Sequence, residues 1–179
     1  MAVTHDADLR ASVSAIRRLY SAAACSCALV NDEGSALRFV AASGEGADTI
    51  VGTDLPIGRG IAGWVAMSGQ AIAVGDVHSD TRFARDIAEA THYVPTSIIA
   101  IPVLDPTGEL LGVIEVLDPH TPEPTDRTLD VLGTLASQIG AFLALRGRHL
   151  DQGDETTTRL AALGRTMLEA ARRYEGTLS

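Results

Sequence analysis

Three glycines with the spacing of a nucleotide-binding loop are the first residues in this sequence with a chemical interpretation. Gly58, Gly60 and Gly63 fit the pattern Gly-x-Gly-x-x-Gly, in which a backbone without side chains can approach a pyrophosphate. That pattern needs a buried strand directly before its first glycine, whereas residues 52–56 are largely polar and end in proline. We therefore predict a tight turn and a close helix approach here, and no dinucleotide site.

Arg59 stands at the N-terminal edge of the helix that is predicted after these glycines. Free backbone amides and a cation at that position could together favour an anion such as a phosphate or a carboxylate. A solvated surface arginine is the competing interpretation, and it is the one we favour.

Asp76, His78 and Ser79 have the residue types of a hydrolase triad. Neighbours on one loop rarely converge as nucleophile, base and orienting group, and the sequence contains no Gly-x-Ser-x-Gly elbow. Asp80 and Arg82, just beyond, are expected to hold the start of a helix by a cap and an ion pair. These residues predict no enzyme.

The two cysteines, Cys25 and Cys27, lie in an apolar segment that is predicted to be a strand. Their side chains therefore share one face, and their α-carbons would lie roughly 6.5–7 Å apart, at the edge of the range that a disulfide bridges. We expect buried, reduced thiols.

Charge and basic-residue content exclude several classes of function. All 14 basic residues are arginine, so Walker A loops, protein kinases and Schiff-base enzymes, which need a lysine ammonium group, are excluded. The net charge of −9 opposes an extended basic surface, so no nucleic-acid partner is expected. No segment approaches the roughly 20 apolar residues of a membrane span, and no signal peptide is evident. We expect a cytoplasmic protein without a membrane partner.

Hydrophobic periodicity and turn residues predict one domain with helical extensions, which 179 residues can form. Apolar positions spaced by three and four predict an amphipathic first helix over residues 6–21. Apolar segments bounded by glycine, proline and aspartate predict strands that form hairpins. The predicted strands are residues 25–31, 36–42, 71–74, 97–104 and 109–117, and the further predicted helices are residues 60–68, 81–90 and about 125–147.

The predicted long C-terminal helix carries two apolar seams, one more than packing on a sheet needs. The first seam is Leu129, Leu132, Ala136, Ile139 and Leu143, and the second seam is Val131, Leu135, Phe142 and Leu145. The second seam could pack on the first helix or on another copy of the chain, and we favour a homodimer through the terminal helices. Farther on, a heptad spacing predicts a coiled-coil helix, with a frayed tail as the alternative, at Leu160, Leu163, Met167, Ala170 and Tyr174.

Four sequence blocks in one order resemble those of a GAF domain, a small-molecule sensing module: PIGRGIAGWV at 56–65, DVHSDTRF at 76–83, SIIAIPV at 97–103 and GELLGVIEV at 108–116. The resemblance implies an α+β, GAF/PAS-like three-layer sandwich. A central antiparallel sheet would carry the terminal helices on one face and short helices plus a lid on the other. The implied units are an N-terminal helix over residues 1–22, a GAF core with the long helix over residues 23–148, and a helical tail over residues 149–179 that resembles a signalling coiled coil.

The resemblance also implies a sensory or regulatory domain, without enzymatic activity, that binds a small ligand in a pocket under the lid. Ligand binding would reorganise the lid and change the packing of the terminal helices. The alternative is a ligand-free scaffold for dimerisation and protein interaction. Because alternate strand residues share a face, three of the implied pocket residues are expected to act together on one strand. The implied pocket residues are Trp64, Met67, Phe83, Ile87, His92, Tyr93, Ser97, Ile99, Ile101 and Glu115.

The resemblance does not name a ligand or a cofactor. His78 or His92 could bind haem iron as happens in some relatives, but each lacks a neighbouring ligand, so a surface or loop position is favoured and no metal site is predicted. The methionine sulfoxide reductases of the family use loop cysteines, whereas both thiols here lie on the first strand. The bilin-attaching cysteine is missing from residues 81–93, and the Asn-Lys-x-x-Phe-Asp-Glu signature of cyclic-nucleotide-binding relatives is absent.

Overall fold

The computed structural model describes residues 3–120 and 126–149. The predicted tail beyond residue 149 lies outside the described residues. In chain order the elements are α1 (Val3–Leu19), β1 (Ala24–Val30), β2 (Ala36–Gly44), α2 (Ala47–Ile50), β3 (Asp54–Pro56), α3 (Gly60–Ser68), β4 (Ile72–Val74), α4 (Arg85–Ala90), β5 (Ile98–Leu104), β6 (Leu110–Leu117) and α5 (Asp126–His149).

The six strands form one antiparallel sheet in the order β3-β2-β1-β6-β5-β4. β1 pairs with both β2 and β6, so the β1–β2 and β5–β6 hairpins meet at the centre of the sheet. α1 and α5 pack on one face, and α3 packs on the other. This arrangement confirms the predicted α+β sandwich and differs from the parallel, crossover-linked sheet of dinucleotide-binding folds.

Two polar side chains secure the turns of these hairpins. In the β1–β2 turn, Oδ1 of Asn31 accepts hydrogen bonds from the backbone amides of Ser35 (2.9 Å) and Ala36 (3.1 Å). In the β5–β6 turn, the Asp105 carboxylate accepts a hydrogen bond from the backbone amide of Thr107 (2.7 Å). Side chains that bind their own turn compete with helix formation and favour reversal of the chain. Both predicted hairpins are confirmed.

The face under the terminal helices is a continuous apolar layer. Val13 of α1 and Leu132 and Ala136 of α5 are buried against it. α5 approaches β5 so closely that a β-carbon on Gly140 would lie 1.9 Å from the carbonyl oxygen of Leu104. The first helix and the first seam of the long helix therefore pack as predicted.

The second seam of α5 is only partly covered. Leu135 is buried in the core, whereas the other three members of the seam are partly exposed. Near the end of this seam, the Arg146 guanidinium pairs with the carboxylate of Asp8 on α1 (3.2 Å) and lies over the ring of Phe142. α1 thus contacts α5 through an ion pair and leaves part of the seam accessible.

One described helix has the length and apolar composition of a membrane span, the segment Arg127–Arg146 of α5. Polar residues interrupt this segment, so it contains no continuous apolar run of that length. The same segment packs Leu132, Ala136 and Ile139 against the sheet, as the core helix of a folded domain does.

The opposite face of the sheet is covered by α3 together with the short helices. Ile61 and Val65 of α3 are buried against the strands. A β-carbon on Gly63 would lie 2.7 Å from the carbonyl oxygen of Pro56, so this glycine permits the close approach that its spacing predicted. α3 ends at Gly69, whose φ of 68° is left-handed and favours glycine.

Two short elements were not predicted, and one helix is shorter than predicted. α2 and β3 lie in the segment that was expected to be a loop, and β3 pairs at the sheet edge, where proline is tolerated. α4 begins later than predicted because Asp80 forms a turn before it. The Asp80 carboxylate accepts a hydrogen bond from the Arg82 amide (2.9 Å), and the Asp80 carbonyl accepts one from the Phe83 amide (3.1 Å).

Candidate ligand-binding site

A cavity lies between the sheet and the layer that α2, α3 and α4 form. It encloses about 90 Å³, several times the roughly 10–15 Å³ that one water molecule needs. Its walls are mainly apolar. The lining residues are Ala24, Cys25, Ser26, Phe39, Ala42, Glu45, Gly46, Ile50, Leu55, Gly60, Ile61, Ala62, Phe83, Ala84, Ile87, Ala88, Thr91, Tyr93, Pro95, Ile98, Glu115 and Leu117.

Strand register places a carboxylate on the floor of this cavity. Glu115 of β6 lies opposite Ser26 on β1 and Ala100 on β5, all on the α3 side of the sheet. The backbone amide of Ala62, in the first turn of α3, donates a hydrogen bond to Glu115. Burial nevertheless raises the pKa of Glu115 to about 7, because desolvation disfavours the charged form more than this hydrogen bond favours it. Glu115 therefore changes charge near neutral pH.

Glu115 supplies an acceptor near the start of α3, whose N-cap residue makes no side-chain cap. Arg59, at the N-cap position, makes no capping hydrogen bond, and its guanidinium pairs with the Asp86 carboxylate on α4. Glu115 instead places negative charge at the helix N-terminus, where the helix dipole favours it. An external anion at this helix start would compete with a carboxylate of the chain itself.

Ser26 contributes a hydroxyl to the same floor. The residue is 6% exposed and lines the cavity opposite Glu115. Among the residues that the structure describes, none forms a hydrogen bond with its hydroxyl. A hydroxyl that lines a cavity without a protein partner can donate to or accept from a ligand, so Ser26 is a candidate ligand contact.

The segment after α4 closes the rim of the cavity through Tyr93. We define residues 84–96, which comprise α4 and this segment, as the lid. The Tyr93 hydroxyl donates a hydrogen bond to the Asp118 carboxylate at the end of β6. Asp118 also accepts hydrogen bonds from the backbone amides of Thr96 (2.9 Å) and Ser97 (2.8 Å). Burial and the neighbouring carboxylate raise the pKa of Tyr93, so the phenol stays protonated and keeps donating.

Carboxylates are the only charged side chains among the cavity's described lining residues. Glu45 lies at the exposed rim and Glu115 on the floor. No described arginine or histidine joins them. The cavity therefore combines apolar walls with two acidic side chains.

The sequence comparison decides the family to which this architecture belongs. A family profile described as "GAF domain" matches residues 4–144. The chain belongs to the GAF domain family.

Three known proteins illustrate what this GAF domain is similar to. The dual 3',5'-cyclic-AMP and -GMP phosphodiesterase 11A of Takifugu rubripes is 33% identical over 64 residues, which are 36% of this chain and only 7% of that protein. The GAF domain from a phosphoenolpyruvate-protein phosphotransferase of Coxiella burnetii superposes with a TM-score of 0.72 at 22% identity, covering 81% of this chain and 86% of that one. The free methionine-R-sulfoxide reductase from Neisseria meningitidis, in complex with its substrate, superposes with a TM-score of 0.61 at 24% identity, covering 75% of each chain. The two structural likenesses show a shared fold.

Four residues that the GAF resemblance implied lie together in the cavity. Phe83 and Ile87 form part of the wall, Tyr93 lies at the rim and Glu115 on the floor. Their contact with a ligand stays a prediction.

The choice of cavity-facing residues in β5 was wrong by one position. Ile99 and Ile101 are buried under the terminal helices, whereas Ile98 lines the cavity. Because β5 is apolar on both faces, its composition does not indicate which alternate set faces the ligand. Ser97 precedes the strand and donates a hydrogen bond to Asp118 (3.3 Å), outside the cavity lining.

Three more of the implied residues also lie outside the cavity. Trp64 packs against the same core cluster as Ile61 without lining the cavity, whereas Met67 lies on the exposed side of α3. Trp64 packs against the Arg82 guanidinium, 4.6 Å from the ring centroid, and Met67 is 63% exposed. His92 is exposed and has a left-handed φ of 60°.

Sequence analysis missed three residues that complete the site: Ser26, Glu45 and Ile98. Ser26 could have been found, because it is the polar residue between two cysteines in an otherwise apolar strand. Glu45 and Ile98 carry no comparable signal, since their positions depend on how the loop and β5 pack.

The loop with triad-like residues has a structural role. The Asp76 carboxylate accepts a hydrogen bond from the His78 amide (2.9 Å), and the Ser79 hydroxyl donates to the Asp76 carbonyl (3.0 Å). Nδ1 of His78 lies 3.1 Å from the Arg85 guanidinium. Within the part of the chain that the structure describes, no group of three or more His, Cys, Asp or Glu residues could hold a metal ion.

The two thiols are buried and free, as predicted. Their residues pack in the core under the terminal helices. Burial raises the pKa of Cys27 to about 12 and raises that of Cys25 as well. Neither is a thiolate at neutral pH.

Proposed function

We propose that this GAF domain is a regulatory module of the cytoplasm that binds a small molecule in the cavity and passes its state to the terminal helices. The observation that carries the proposal is that one sheet separates the cavity from α1 and α5. A ligand that displaces the floor strands therefore displaces the surface on which both helices pack.

Side chains of the floor strands alternate between the two layers. Glu115 reaches the cavity, while Ile114 and Val116 beside it are buried under the terminal helices. Cys25 and Cys27 have the same relation to Ser26 on β1. Because the interior is close-packed, a shift of either strand must be accommodated on both faces.

The segment after β6 offers a second route, since it is joined to the lid and to α1. Asp118 binds Tyr93 of the lid. Two residues later, the His120 amide donates a hydrogen bond to the carbonyl of Tyr20 at the end of α1 (3.0 Å). The chain then continues to α5, which begins at Asp126. A lid that reorganises on binding would act on this segment and, through it, on both terminal helices.

Regulation fits the cavity better than catalysis does. Reduction of methionine sulfoxide by cysteines requires a thiolate in the pocket. Cys25 borders the cavity, but both thiols are protonated and pack in the core under the terminal helices. A cyclic phosphate, the group on which the phosphodiesterase relatives act by name, would find no cation among the described lining residues. We therefore propose a binding domain without enzymatic activity.

Native mass spectrometry and a metabolite panel test this proposal. We expect a small organic molecule to be retained by fresh protein or to raise Tm in a concentration-dependent way, because it binds the native state alone. Hydrogen exchange should then change in the lid and in α5 together. Ser26→Leu should abolish the response by filling the cavity, whereas Ser79→Leu, on the exposed loop, should retain it. A panel without any active compound would contradict ligand sensing.

A second candidate function, a homodimerisation scaffold that needs no ligand, is favoured by α5. Val131, Phe142 and Leu145 of its second seam remain partly exposed, and apolar surface of this kind commonly marks an interface. Analytical ultracentrifugation should then detect a dimer that Val131→Glu dissociates and Thr134→Glu, at an exposed position of the same helix, leaves intact. A monomer at high concentration would eliminate the scaffold and leave the sensor.

A further inference from the structure

The ligand cavity has a chemical polarity that restricts what it can bind. This inference rests on the proposed ligand-binding function and concerns the class of molecule that the cavity accepts. Its walls include Ile61, Phe83, Ile87 and Ile98, which suit a short hydrocarbon body. Its charged groups are carboxylates, one on the floor and one at the rim.

Glu115 has no cationic partner among the described residues. The four ion pairs of the described chain use Asp8, Asp54, Asp80 and Asp86 with arginines. The hydrogen-bond donor to Glu115 is the Ala62 amide, a single neutral group. A partly buried carboxyl group among apolar walls without a counter-charge is disfavoured in its ionised form. A ligand that supplies positive charge therefore gains an interaction that no part of the described chain supplies.

Ser26 provides an independent indication of a polar ligand group at the same place. It lies directly opposite Glu115 in the strand register and is 6% exposed. Its hydroxyl lines the cavity and makes no hydrogen bond with any other described residue. A ligand donor placed in the cavity over the paired strands β1 and β6 could therefore reach both the Ser26 oxygen and the Glu115 carboxylate.

We propose that the cavity selects a small organic cation, a protonated amine or amidine on a short apolar body, with Glu115 as its counter-ion and Ser26 as a hydrogen-bond acceptor. The apolar body contacts the Ile61, Ile87 and Ile98 side of the cavity. Glu45 at the rim adds a weaker, solvent-screened attraction for the same charge. An anionic ligand of the same size is disfavoured, because it meets two carboxylates and no cation among the lining residues.

Three probes with a common branched hydrocarbon body separate charge from shape: isoamylamine, isoamyl alcohol and isovalerate. Each is titrated into the isotopically labelled full chain at pH 8, and the amide resonances of Ser26, Ala62 and Glu115 report its affinity. We expect isoamylamine to bind more tightly than the alcohol and isovalerate to bind least. Stronger binding of isovalerate than of isoamylamine overturns the proposal.

Glu115→Gln gives the decisive variant, because it keeps the shape of the side chain and removes its charge. It should weaken isoamylamine binding about tenfold or more, as expected for loss of a charge-assisted hydrogen bond, and change the alcohol's affinity by less than about twofold. Glu109→Gln, on the exposed β5–β6 turn, removes one negative charge elsewhere and should leave both affinities unchanged. Ser26→Ala tests the hydroxyl separately and should weaken the amine by a smaller factor.

The outcomes distinguish this inference from the proposed function. If the alcohol binds in the cavity as tightly as the amine, or if Glu115→Gln leaves the amine's affinity unchanged, the cation inference is wrong and ligand binding survives. If none of the three probes shifts these resonances at millimolar concentration and the metabolite panel is also inactive, both fail.

Discussion

The hydroxyl of Tyr93 in the lid donates a hydrogen bond to the carboxylate of Asp118, which lies immediately after β6. The other carboxylate oxygen of Asp118 accepts the backbone amides of Thr96 and Ser97. The Asp118 side chain therefore binds the end of the lid through the Tyr93 hydroxyl and through two backbone amides. The lid can separate from the sheet only if these hydrogen bonds break or Asp118 moves with it.

Tyr93→Phe should loosen the lid without changing the fold. A hydrogen bond to a charged acceptor contributes about 1.5–3 kcal/mol when buried and less at a half-exposed site. We therefore expect urea denaturation to show a free energy of unfolding that is lower by about 1–2 kcal/mol. Hydrogen exchange of residues 84–96 should accelerate.

Asp118→Asn provides the comparison for this variant. It should lower the free energy of unfolding more than Tyr93→Phe does, because the carboxylate also accepts hydrogen bonds from two backbone amides. The double variant should be less destabilised than the sum of the two, since both remove one shared hydrogen bond. Strict additivity would show that the Tyr93–Asp118 contact does not stabilise the lid.

The elevated pKa of Glu115 predicts how stability depends on pH. Its pKa is raised from 4.5 to about 7 in the folded chain, so the stabilisation from the protonated form is complete below pH 4.5 and is lost as pH rises through 7. The loss is on the order of 3 kcal/mol. Cys25, the titratable group that Glu115 affects electrostatically, stays protonated throughout because its own pKa is raised.

Glu115→Gln isolates this effect from the other titrating carboxylates. Denaturation of the wild type and the variant should give similar free energies of unfolding near pH 4. As the pH rises above 4, the variant should become progressively more stable than the wild type. A constant difference between the two from pH 4 to pH 8 would show that Glu115 ionises normally in the fold.

Two glycines of α5 should respond oppositely to alanine. A β-carbon on Gly140 would lie 1.9 Å from the carbonyl oxygen of Leu104, whereas one on Gly133 would meet nothing within 4 Å. Gly140→Ala should therefore push α5 away from β5 and lower the free energy of unfolding by about 1–3 kcal/mol or more. Gly133→Ala should stabilise by up to about 1 kcal/mol, because alanine favours the helix. Equal effects of the two would contradict the close packing of α5 on β5.

The two thiols should be unreactive until the domain opens. Cys25 and Cys27 are fully buried, and their pKa values are raised by burial. A thiol reagent such as Ellman's reagent should label neither in the native protein at neutral pH and both after addition of denaturant. Rapid labelling before unfolding would place a thiol in an accessible site and reopen cysteine chemistry as a function.

Much of the fold is encoded locally, and the paired hairpins show why. Asn31 and Asp105 bind the backbones of their own turns, and the flanking apolar segments have strand lengths that the sequence reveals directly. The spacing of Gly58, Gly60 and Gly63 likewise indicated a tight entry to α3, where Gly63 contacts Pro56. Such features depend on residues close in sequence, so periodicity and turn chemistry suffice to predict them.

The candidate site is a mixed case. Glu115, Phe83, Ile87 and Tyr93 followed from the resemblance to GAF domains, and all four line the cavity. The β5 residues were misassigned because both faces of that strand are apolar.

By itself the sequence showed the resemblance to GAF domains through four matched blocks. It also predicted the hairpins and the burial of both thiols, which depend on composition and on short-range spacing. Only the tertiary structure decided which face of β5 meets the cavity, that Glu115 caps α3, and that Tyr93 reaches Asp118. These relationships join residues far apart in the chain. They depend on the register of the paired strands and on the desolvation of buried groups. Neither the register nor the desolvation is defined until the strands have paired and the layers have packed.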